Sequence, residues 1–561
     1  MSAQVMGLAA FVLLASPVWS GLDGEALRVE KLIGQMSPAQ KVGQLMMIGF
    51  GGREMGPEIA RLLTELHIGS VTLYSRNVRD PAQVARLIRD IRSVMAKEIQ
   101  PFIALDQEGG NVVRVRSQVA VLPGTMTLGA SRDPVLAYLA GQANAVDLGL
   151  IGFDMILAPV LDINHNPKNP VINVRAFGDD PQLVASLGSA YCLGQQDGGA
   201  ATVAKHFPGH GTTAHDSHFA LPRIELSADQ LRQTELLPFR RAIESGLDAV
   251  MTAHVQIPAI DTEGTPASLS PKVITGLLRE ELGFDGVVIT DDLEMRAVSG
   301  HIGVGAAAIQ ALQAGADLIM VIWTPRRKRE VHDALLAAVR DGTISAERLD
   351  RSVRRILRLK ARRGTLDAPG RLIAKPTSVL PNDRHLKVVR SIAVRGLTLV
   401  RNRSSLVPLC SGKGVLVVSP QDAFRQEMKR LLPACTTMPI KLVSSLKRRQ
   451  HELAQLVERA EKRRVVVLAV TNVYQAWLAQ QFQHRSRTPL IVVSFGSPYM
   501  LRYFPKVQGY LCTYSYLASA QLAAAQALAG RLSITGRLPV QLSARHPRGS
   551  GLTIRRHACK R

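Results

Sequence analysis

The stretch ATVAKHFPGHGTTAHDSH (201–218) joins an apolar run to a polar loop without a break. The run ATVAKHF is short and partly β-branched, which is typical of a buried strand. Pro208, Gly209 and Gly211 then rule out a regular helix, so a loop follows the strand. This loop gathers histidines and a carboxylate at the point where the strand ends. The stretch therefore predicts a strand that delivers titratable side chains to its carboxyl end.

Seven more runs of this kind occur earlier and later in the chain, separated by longer segments with helical patterns. Alternating strands and helices predict repeated βαβ units with a parallel sheet. Eight such units predict a (β/α)8 TIM-type barrel over residues 25–365. The eight runs are 42–50, 69–75, 101–106, 153–163, 201–207, 247–255, 285–292 and 316–323.

Polar side chains recur where these predicted strands end. In a barrel of this type, the chemistry sits at the carboxyl ends of the strands. A purely structural barrel has little reason to place charge there repeatedly, so the pattern predicts an active site at the barrel mouth. The residues are Asp106, Asp162, Lys205, His206, His254, Asp291 and Asp292.

A segment rich in proline and glycine at 366–383 predicts a linker, and a second domain follows it. Four further apolar runs (414–420, 464–472, 489–497 and 508–515) with helical stretches between them predict a smaller α/β sandwich domain over 384–561, with a mostly parallel sheet. It contains neither a GxGxxG motif nor a P-loop, so no nucleotide is implied.

The net positive charge of the chain comes entirely from this second part. The net charge is +24, and residues 381–561 hold 30 basic and 6 acidic residues, whereas residues 1–380 hold 39 of each. A basic domain can attract an anionic polymer such as cell-wall material, lipid headgroups or nucleic acid. The alternative is a solvated, arginine-rich surface. No nucleic-acid motif accompanies the charge.

The first 20 residues resemble a secretory signal, with an apolar run at 5–15 and, at Val18-Trp19-Ser20, a stretch that suits a cleavage site with small residues on either side of Trp19. They predict export to the periplasm or outside the cell, although no basic residue precedes Arg28. An apolar N-terminal helix of a cytoplasmic protein is the alternative, and no later segment reads as transmembrane. The five cysteines are widely spaced and form no CxxC pair, which disfavours a zinc site. Their number is odd and small for a chain of this length, which disfavours a disulfide framework.

Two chemistries are open for the histidine-rich loop. Metal binding is disfavoured, because Pro-Gly separates His206 from His210 and breaks the helix on which that spacing would matter. Acid–base catalysis fits Asp216 and His218, since a carboxylate beside an imidazole fixes its tautomer and raises its pKa. Without further information, a surface turn explains the same pair. The carboxylate of Asp291 could likewise attack an anomeric carbon or hold a cation. The alternative is a helix cap, a role that Asp292 suits equally well.

Six segments, taken in order, resemble glycoside hydrolase family 3, in its β-N-acetylhexosaminidase branch of the two-domain type. The resemblance implies a retaining, two-step mechanism in which Asp291 is the nucleophile, His218 the general acid/base and Asp216 its dyad partner. The loop is irregular, on this view, because it must bring His218 over the scissile oxygen. The segments are 103–115, 158–163, 169–181, 205–218, 251–255 and 287–295.

The same resemblance assigns substrate binding to Asp106, Arg114, Arg175, Lys205 and His206. It implies neither a metal nor any other cofactor.

Five residues near the site are left without a role from the family. His210 and His215 read as loop structure or solvent-facing. His254 and Asp162 either line the mouth or lie behind it. Trp323 either stacks on a sugar or packs in the core.

The branch implies hydrolysis of terminal, non-reducing β-linked N-acetylglucosamine (GlcNAc), commonly in peptidoglycan fragments (muropeptides). A β-glucosidase or β-xylosidase of the same family is an alternative, but such enzymes lack the Asp-Ser-His loop. A GlcNAc phosphorylase is another, since a neutral histidine repels incoming phosphate less than a carboxylate does. A non-catalytic wall-binding protein is a third, against which the presence of Asp291, Asp216 and His218 counts.

Overall fold

The computed structural model describes residues 18–217, 219–300, 302–366, 380–442 and 445–556. Within these residues the chain forms two α/β units, a barrel and a second sheet domain. Both parts of the predicted fold class are confirmed. The predicted signal falls almost wholly outside the described residues, as does most of the predicted linker. No described helix is both long enough and apolar enough to cross a bilayer.

The first unit is an eight-stranded parallel barrel. Neighbouring strands pair in chain order, and β8 returns to pair with β1 (Met46 opposite Ile319). A single bridge between Ile289 and Leu318 links β7 to β8 and nearly closes the ring. Every predicted run contains one strand. The strands are β1 Met46–Ile48, β2 Ser70–Thr72, β3 Phe102–Leu105, β4 Met155–Ile156, β5 Ala201–Phe207, β6 Ala249–Thr252, β7 Val287–Thr290 and β8 Ile319–Val321.

Helices surround the barrel, and several begin at an Asp-Pro pair. Asp80, Asp133 and Asp180 each cap a helix by accepting a backbone hydrogen bond, and the proline that follows has its φ already set for the first turn. The helices are α1 Val18–Gln35, α2 Pro38–Gln44, α3 Pro57–Glu65, α4 Pro81–Val94, α5 Thr125–Ser131, α6 Pro134–Ile151, α7 Pro181–Asp197, α8 Ala228–Gln233, α9 Leu236–Glu244, α10 Arg296–Ser299, α11 Val304–Ala314, α12 Pro325–Arg340 and α13 Ala346–Arg362. A π-helix, Lys272–Glu281, precedes β7.

Helix α13 closes the barrel at the amino-terminal ends of its strands. Ile356 and Leu359 pack into the cluster of side chains that fills the barrel interior. Lys360 follows them into the protein, where its Nζ donates to Oε1 of Gln44 (2.7 Å) and lies 5.6 Å from the ring centre of Phe102. One end of the barrel is therefore plugged, and only the carboxyl end can admit a substrate.

The second unit is a six-stranded sheet in the order β11-β10-β12-β13-β14-β9, in which only β9 is antiparallel to its neighbour. The predicted runs contain β10, β12, β13 and β14. The strands are β9 Thr398–Asn402, β10 Val415–Ser419, β11 Thr436–Pro439, β12 Val465–Val470, β13 Leu490–Ser494 and β14 Gly509–Cys512. The helices are α14 Asp383–Arg395, α15 Asp422–Leu431, α16 Leu446–Ala460, α17 Val473–Arg485 and α18 Ala518–Leu528.

The two units share a core and a polar seam. Met126, Ala130 and Val174 of the barrel unit belong to the hydrophobic cluster of the second domain. Asp179 accepts from the backbone N of Gln541 (2.7 Å) and pairs with Nε of Arg548 (2.6 Å). The second domain is thus fixed against the loops that carry the predicted site.

Of the described cysteines, Cys192, Cys435 and Cys512 are buried thiols. Cys410 is disulfide-bonded.

Candidate active site

A pocket opens at the carboxyl end of the barrel, with a cavity volume of about 240 Å³. Its walls come from loops after several strands, as the barrel architecture predicts. Six of the residues predicted from the sequence line it together, namely Asp106, Arg114, Arg175, Lys205, His206 and Asp291. The predicted binding residues and the predicted nucleophile therefore share one cavity.

Asp106 follows β3 and is held by two cations. Nζ of Lys205 lies 2.7 Å from one carboxylate oxygen, and Nη2 of Arg114 lies 3.0 Å from the other. Burial opposes ionisation of Asp106, but the charges of Lys205 and Arg114 outweigh it and hold the pKa below its usual value. Asp106 is thus an ionised acceptor, suited to sugar hydroxyl groups.

Glu108 is a charged residue of the site that was not predicted from the sequence. Its carboxylate accepts two hydrogen bonds from Arg175, from Nε and Nη2, both at 2.8 Å, and pairs with Nζ of Lys205 at 2.8 Å. Burial opposes ionisation, yet these two cations lower the pKa of Glu108 well below its usual range. Its place two residues after Asp106 on the pocket loop was the available signal.

His206 is oriented from behind by Asp162. Nδ1 of His206 lies 2.7 Å from a carboxylate oxygen of Asp162, and Nε2 faces Nη2 of Arg175 at 3.5 Å. Asp162 is fully buried and also accepts from the backbone N of His210 (2.7 Å). The structure therefore places Asp162 behind the pocket wall, where it fixes the ring of His206.

Asp291 follows β7 directly and is half-buried on the pocket wall. Its Oδ1 accepts a hydrogen bond from the backbone N of Asp292 (2.8 Å). The helix that follows begins at Arg296 with Met295 as its capping residue. Neither aspartate caps a helix, so the alternative reading of both as helix caps is wrong.

Asp292 is a buried carboxyl group beside Asp291. Burial raises the pKa of Asp292 to about 7, the charges of Glu294 and Asp291 act in the same direction, and a backbone hydrogen bond from Glu294 opposes them. Near neutral pH, a proton on Asp292 therefore removes a like charge next to Asp291. His254 is buried and does not line the pocket; its Nε2 lies 3.1 Å from the carbonyl oxygen of Asp292.

The loop after β5 is anchored by His210. Nδ1 of this buried ring lies 2.8 Å from the hydroxyl of Thr213, and Nε2 lies 3.1 Å from the hydroxyl of Ser217. Burial lowers the pKa of His210, which favours the neutral ring. His210 is therefore a structural residue of the loop, and His215 is exposed, which are the two alternatives that the sequence offered.

The predicted dyad of Asp216 and His218 is not tested by the structure. Asp216 is half-buried and Ser217 lines the pocket, so this loop borders the cavity. His218 lies outside the described residues. The roles of His218 and Asp216 stay predictions.

An aromatic and cationic group forms the rim of the pocket. Trp323 is 56% exposed, so the alternative that places it in the core is wrong. The guanidinium carbon of Arg76 lies 4.2 Å from the ring centre of Trp323, and the ring of Tyr74 lies 5.3 Å away. The partly exposed ring of Trp323 therefore presents a flat apolar surface at the mouth of the pocket. Within the described ranges, no cluster of three side chains could hold a metal ion.

Comparisons with known proteins agree with this geometry. The sequence profile described as "Glycosyl hydrolase family 3 N terminal domain" matches residues 38–359. The chain is 39% identical over 292 residues to a beta-hexosaminidase of Thiobacillus denitrificans, covering 51% of this chain and 80% of that protein. It is 34% identical over 377 residues to Beta-hexosaminidase A of Pseudoalteromonas piscicida, covering 63% of this chain and 62% of that protein.

Solved structures are similar over nearly the whole chain. One of them is a glycoside hydrolase family 3 beta-N-acetylglucosaminidase from Paenibacillus sp., with 40% sequence identity and a TM-score of 0.84. The match covers 91% of this chain and 99% of that one. Similarity therefore extends through both units and beyond the barrel alone.

Proposed function

Since the chain belongs to glycosyl hydrolase family 3, in its β-hexosaminidase branch, we propose that it hydrolyses terminal, non-reducing β-linked GlcNAc with retention of configuration. One observation carries the proposal. Asp291 lies on the wall of a closed-ended pocket whose other walls hold Asp106, Arg175, Lys205 and His206. The pocket can accept the end of a glycan, and its nucleophile stands among groups that bind hydroxyls.

The reaction takes two steps. A carboxylate oxygen of Asp291 attacks the anomeric carbon while His218 gives a proton to the leaving glycosidic oxygen, so a glycosyl–Asp291 ester forms as the glycosidic bond breaks. His218, now neutral, then takes a proton from a water molecule whose oxygen attacks the same carbon. The ester breaks and GlcNAc leaves in the β configuration.

The binding residues support this chemistry through fixed charges. Along one wall, Lys205 lies between the carboxylates of Asp106 and Glu108. Glu108 is also bound by two nitrogens of Arg175. Their orientation is set before substrate arrives, so little reorganisation is needed when hydroxyl groups bind. The proton on Asp292 near neutral pH reduces repulsion at the nucleophile.

Muropeptides are the substrate we propose within this class, and the periplasm or cell exterior is the location. The support is the resemblance of residues 1–20 to a secretory signal and the disulfide at Cys410, since disulfides persist mainly outside the cytoplasm. The basic second domain also suits an anionic wall.

The test is release of p-nitrophenol from the β-GlcNAc and β-glucose aryl glycosides, each with and without phosphate. We expect strong selectivity for GlcNAc and no dependence on phosphate. Preference for glucose would refute the hexosaminidase assignment. Acceleration by phosphate, with a sugar phosphate as product, would identify a phosphorylase instead.

A further inference from the structure

The strands of the second sheet end on two opposite sides of the domain, and these sides face different surroundings. The carboxyl ends of β13 and β14 meet the barrel, where Tyr499 accepts from Asn164 (2.9 Å) and the carbonyl of Thr513 accepts from Thr127 (3.1 Å). The amino-terminal ends of the parallel strands point the other way, about 15 Å further from the barrel for strands of this length. We call this side the distal edge.

The distal edge carries a basic residue at five strand ends. Because β10, β12, β13 and β14 are parallel and β9 is antiparallel, the residues before the first four and after the last come together. Backbone hydrogen bonds confirm the alignment, from Arg464 N to Gly414 O (2.8 Å) and from Arg403 N to Gln508 O (2.8 Å). The five residues are Arg403, Lys413, Arg464, Arg487 and Lys506.

These five side chains are all exposed, and none forms a salt bridge within the described part of the chain. Helices α15, α16 and α17 end at the same edge with Arg430, Arg459 and Arg485. The helix dipole accounts for basic residues in a last helical turn. It does not account for basic residues that precede strands, so the distal edge needs another explanation.

The positive charges of this edge also act on one another. Burial lowers the pKa of His546, and Arg401, Arg403 and Arg545 lower it further by repulsion. The pKa of Arg401 falls for the same reasons, with Arg403 and Arg545 contributing. Such a cluster raises the free energy of the isolated domain and becomes favourable when a polyanion supplies the opposite charge.

The surface lacks the groups that membranes and nucleic acids use besides charge. In the described segments beside these strand ends, no large hydrophobic side chain is exposed for insertion into a bilayer. The ring of Tyr503, three residues before Lys506, is half-buried beneath the guanidinium of Arg502 (5.0 Å) and is not presented for base stacking. The basic side chains of the distal edge can therefore attract a partner only through its negative charge.

We propose that the distal edge binds an anionic polysaccharide bearing carboxylate or phosphate groups, and so holds the enzyme on a glycan matrix with its pocket free. The choice of a glycan rests on the proposed hexosaminidase function, whereas the existence of a polyanion site does not. A polymer bound at this edge lies on the far side of the second domain from the barrel, so binding and catalysis do not compete.

The experiment compares two charge-reversed variants of the full chain. One carries Arg403→Glu, Lys413→Glu, Arg487→Glu and Lys506→Glu; Arg464 is kept because it donates to the carbonyls of Leu409 and Ser411. The matched control carries Arg384→Glu, Arg390→Glu, Lys441→Glu and Lys447→Glu, which are exposed residues away from this edge. Net charge changes equally in both variants.

Binding is measured by sedimentation with polygalacturonate, a 30-base-pair DNA duplex and phosphatidylglycerol-containing vesicles. We expect the wild type to bind polygalacturonate most tightly, with affinity falling about tenfold between 50 and 200 mM salt. The distal-edge variant should lose about tenfold in affinity and the control less than about threefold. Both should keep kcat/KM on the GlcNAc aryl glycoside.

Equal losses in the two variants would overturn the proposal, because net charge rather than this edge would then set binding. Tighter binding to DNA or vesicles would replace the glycan by that partner, and no binding to any probe would end it. If the distal-edge variant fails to fold, Lys413→Gln with Arg487→Gln repeats the test with smaller expected losses. Catalytic activity is read separately, so failure of the proposed function would not be mistaken for failure of this inference.

Discussion

At the scale of single residues, the neighbouring carboxyl groups of Asp291 and Asp292 should behave differently. Asp291→Ala removes the nucleophile, so kcat should fall by about four orders of magnitude or more on the GlcNAc aryl glycoside. Asp292→Asn keeps the shape of a group that is protonated near pH 7, so kcat should fall less than about tenfold there. Steady-state kinetics and circular dichroism of both variants provide the check.

The outcome that contradicts this assignment is an equal loss of kcat in two folded variants. The pH profile adds a second readout. If ionisation of Asp292 slows the wild type above about pH 7, then Asp292→Asn should lose that decline.

Most charged residues of the pocket could be predicted from the sequence, but the contacts between their side chains could not. Asp106 and Asp291 directly follow strands, and Lys205 lies near the carboxyl end of β5, so the barrel architecture alone placed them at the mouth. Glu108 and Asp162 bind other side chains rather than solvent, and such contacts join segments far apart in the chain. Only the folded structure brings those segments together.

At the scale of elements, α13 carries a buried cation whose cost can be measured. Burial lowers the pKa of Lys360 to about 7, whereas an unfolded chain keeps the usual lysine value. Lys360→Met should therefore raise the free energy of unfolding by about 2–4 kcal/mol below pH 7, after allowing about 1 kcal/mol for the lost hydrogen bond to Gln44. Urea denaturation at several pH values provides the measurement.

The sign of the pH dependence follows from proton counts. Between pH 7 and 10 the unfolded wild type binds more protons than the folded one, so its stability rises with pH. The advantage of Lys360→Met should shrink over the same range. The exposed Lys462→Met serves as control, and a pH-independent advantage of Lys360→Met would contradict the argument.

Element prediction succeeded where strands are apolar on both faces and failed at the edges. All eight barrel strands and the four central strands of the second sheet lie within largely apolar runs. β9 ends in Arg401 and Asn402, and β11 is an exposed edge strand ending in Pro439, so neither has a continuous apolar run. An edge strand buries less surface and therefore leaves a weaker pattern.

At the scale of the whole molecule, Asp179 links the two units. Asp179→Ala should lower the free energy of unfolding by about 3 kcal/mol, because Arg548 and the backbone N of Gln541 lose their shared acceptor. It should also raise KM, since Arg175 lies on the same segment. Thermal unfolding and steady-state kinetics measure both effects.

The exposed pair Arg223–Glu225 provides the control. Glu225→Ala should change stability by less than about 1 kcal/mol and leave KM unchanged. A similar loss in both variants would mean that Asp179 does not join the units energetically.

The shared core also has a consequence for the order of synthesis. Val174 in the barrel unit packs in one cluster with Leu538, which is made more than 360 residues later. At ordinary elongation rates that interval is roughly 20–70 s. During this time the apolar surface around Val174 lacks its partner Leu538, so this side of the nascent barrel is only partly covered.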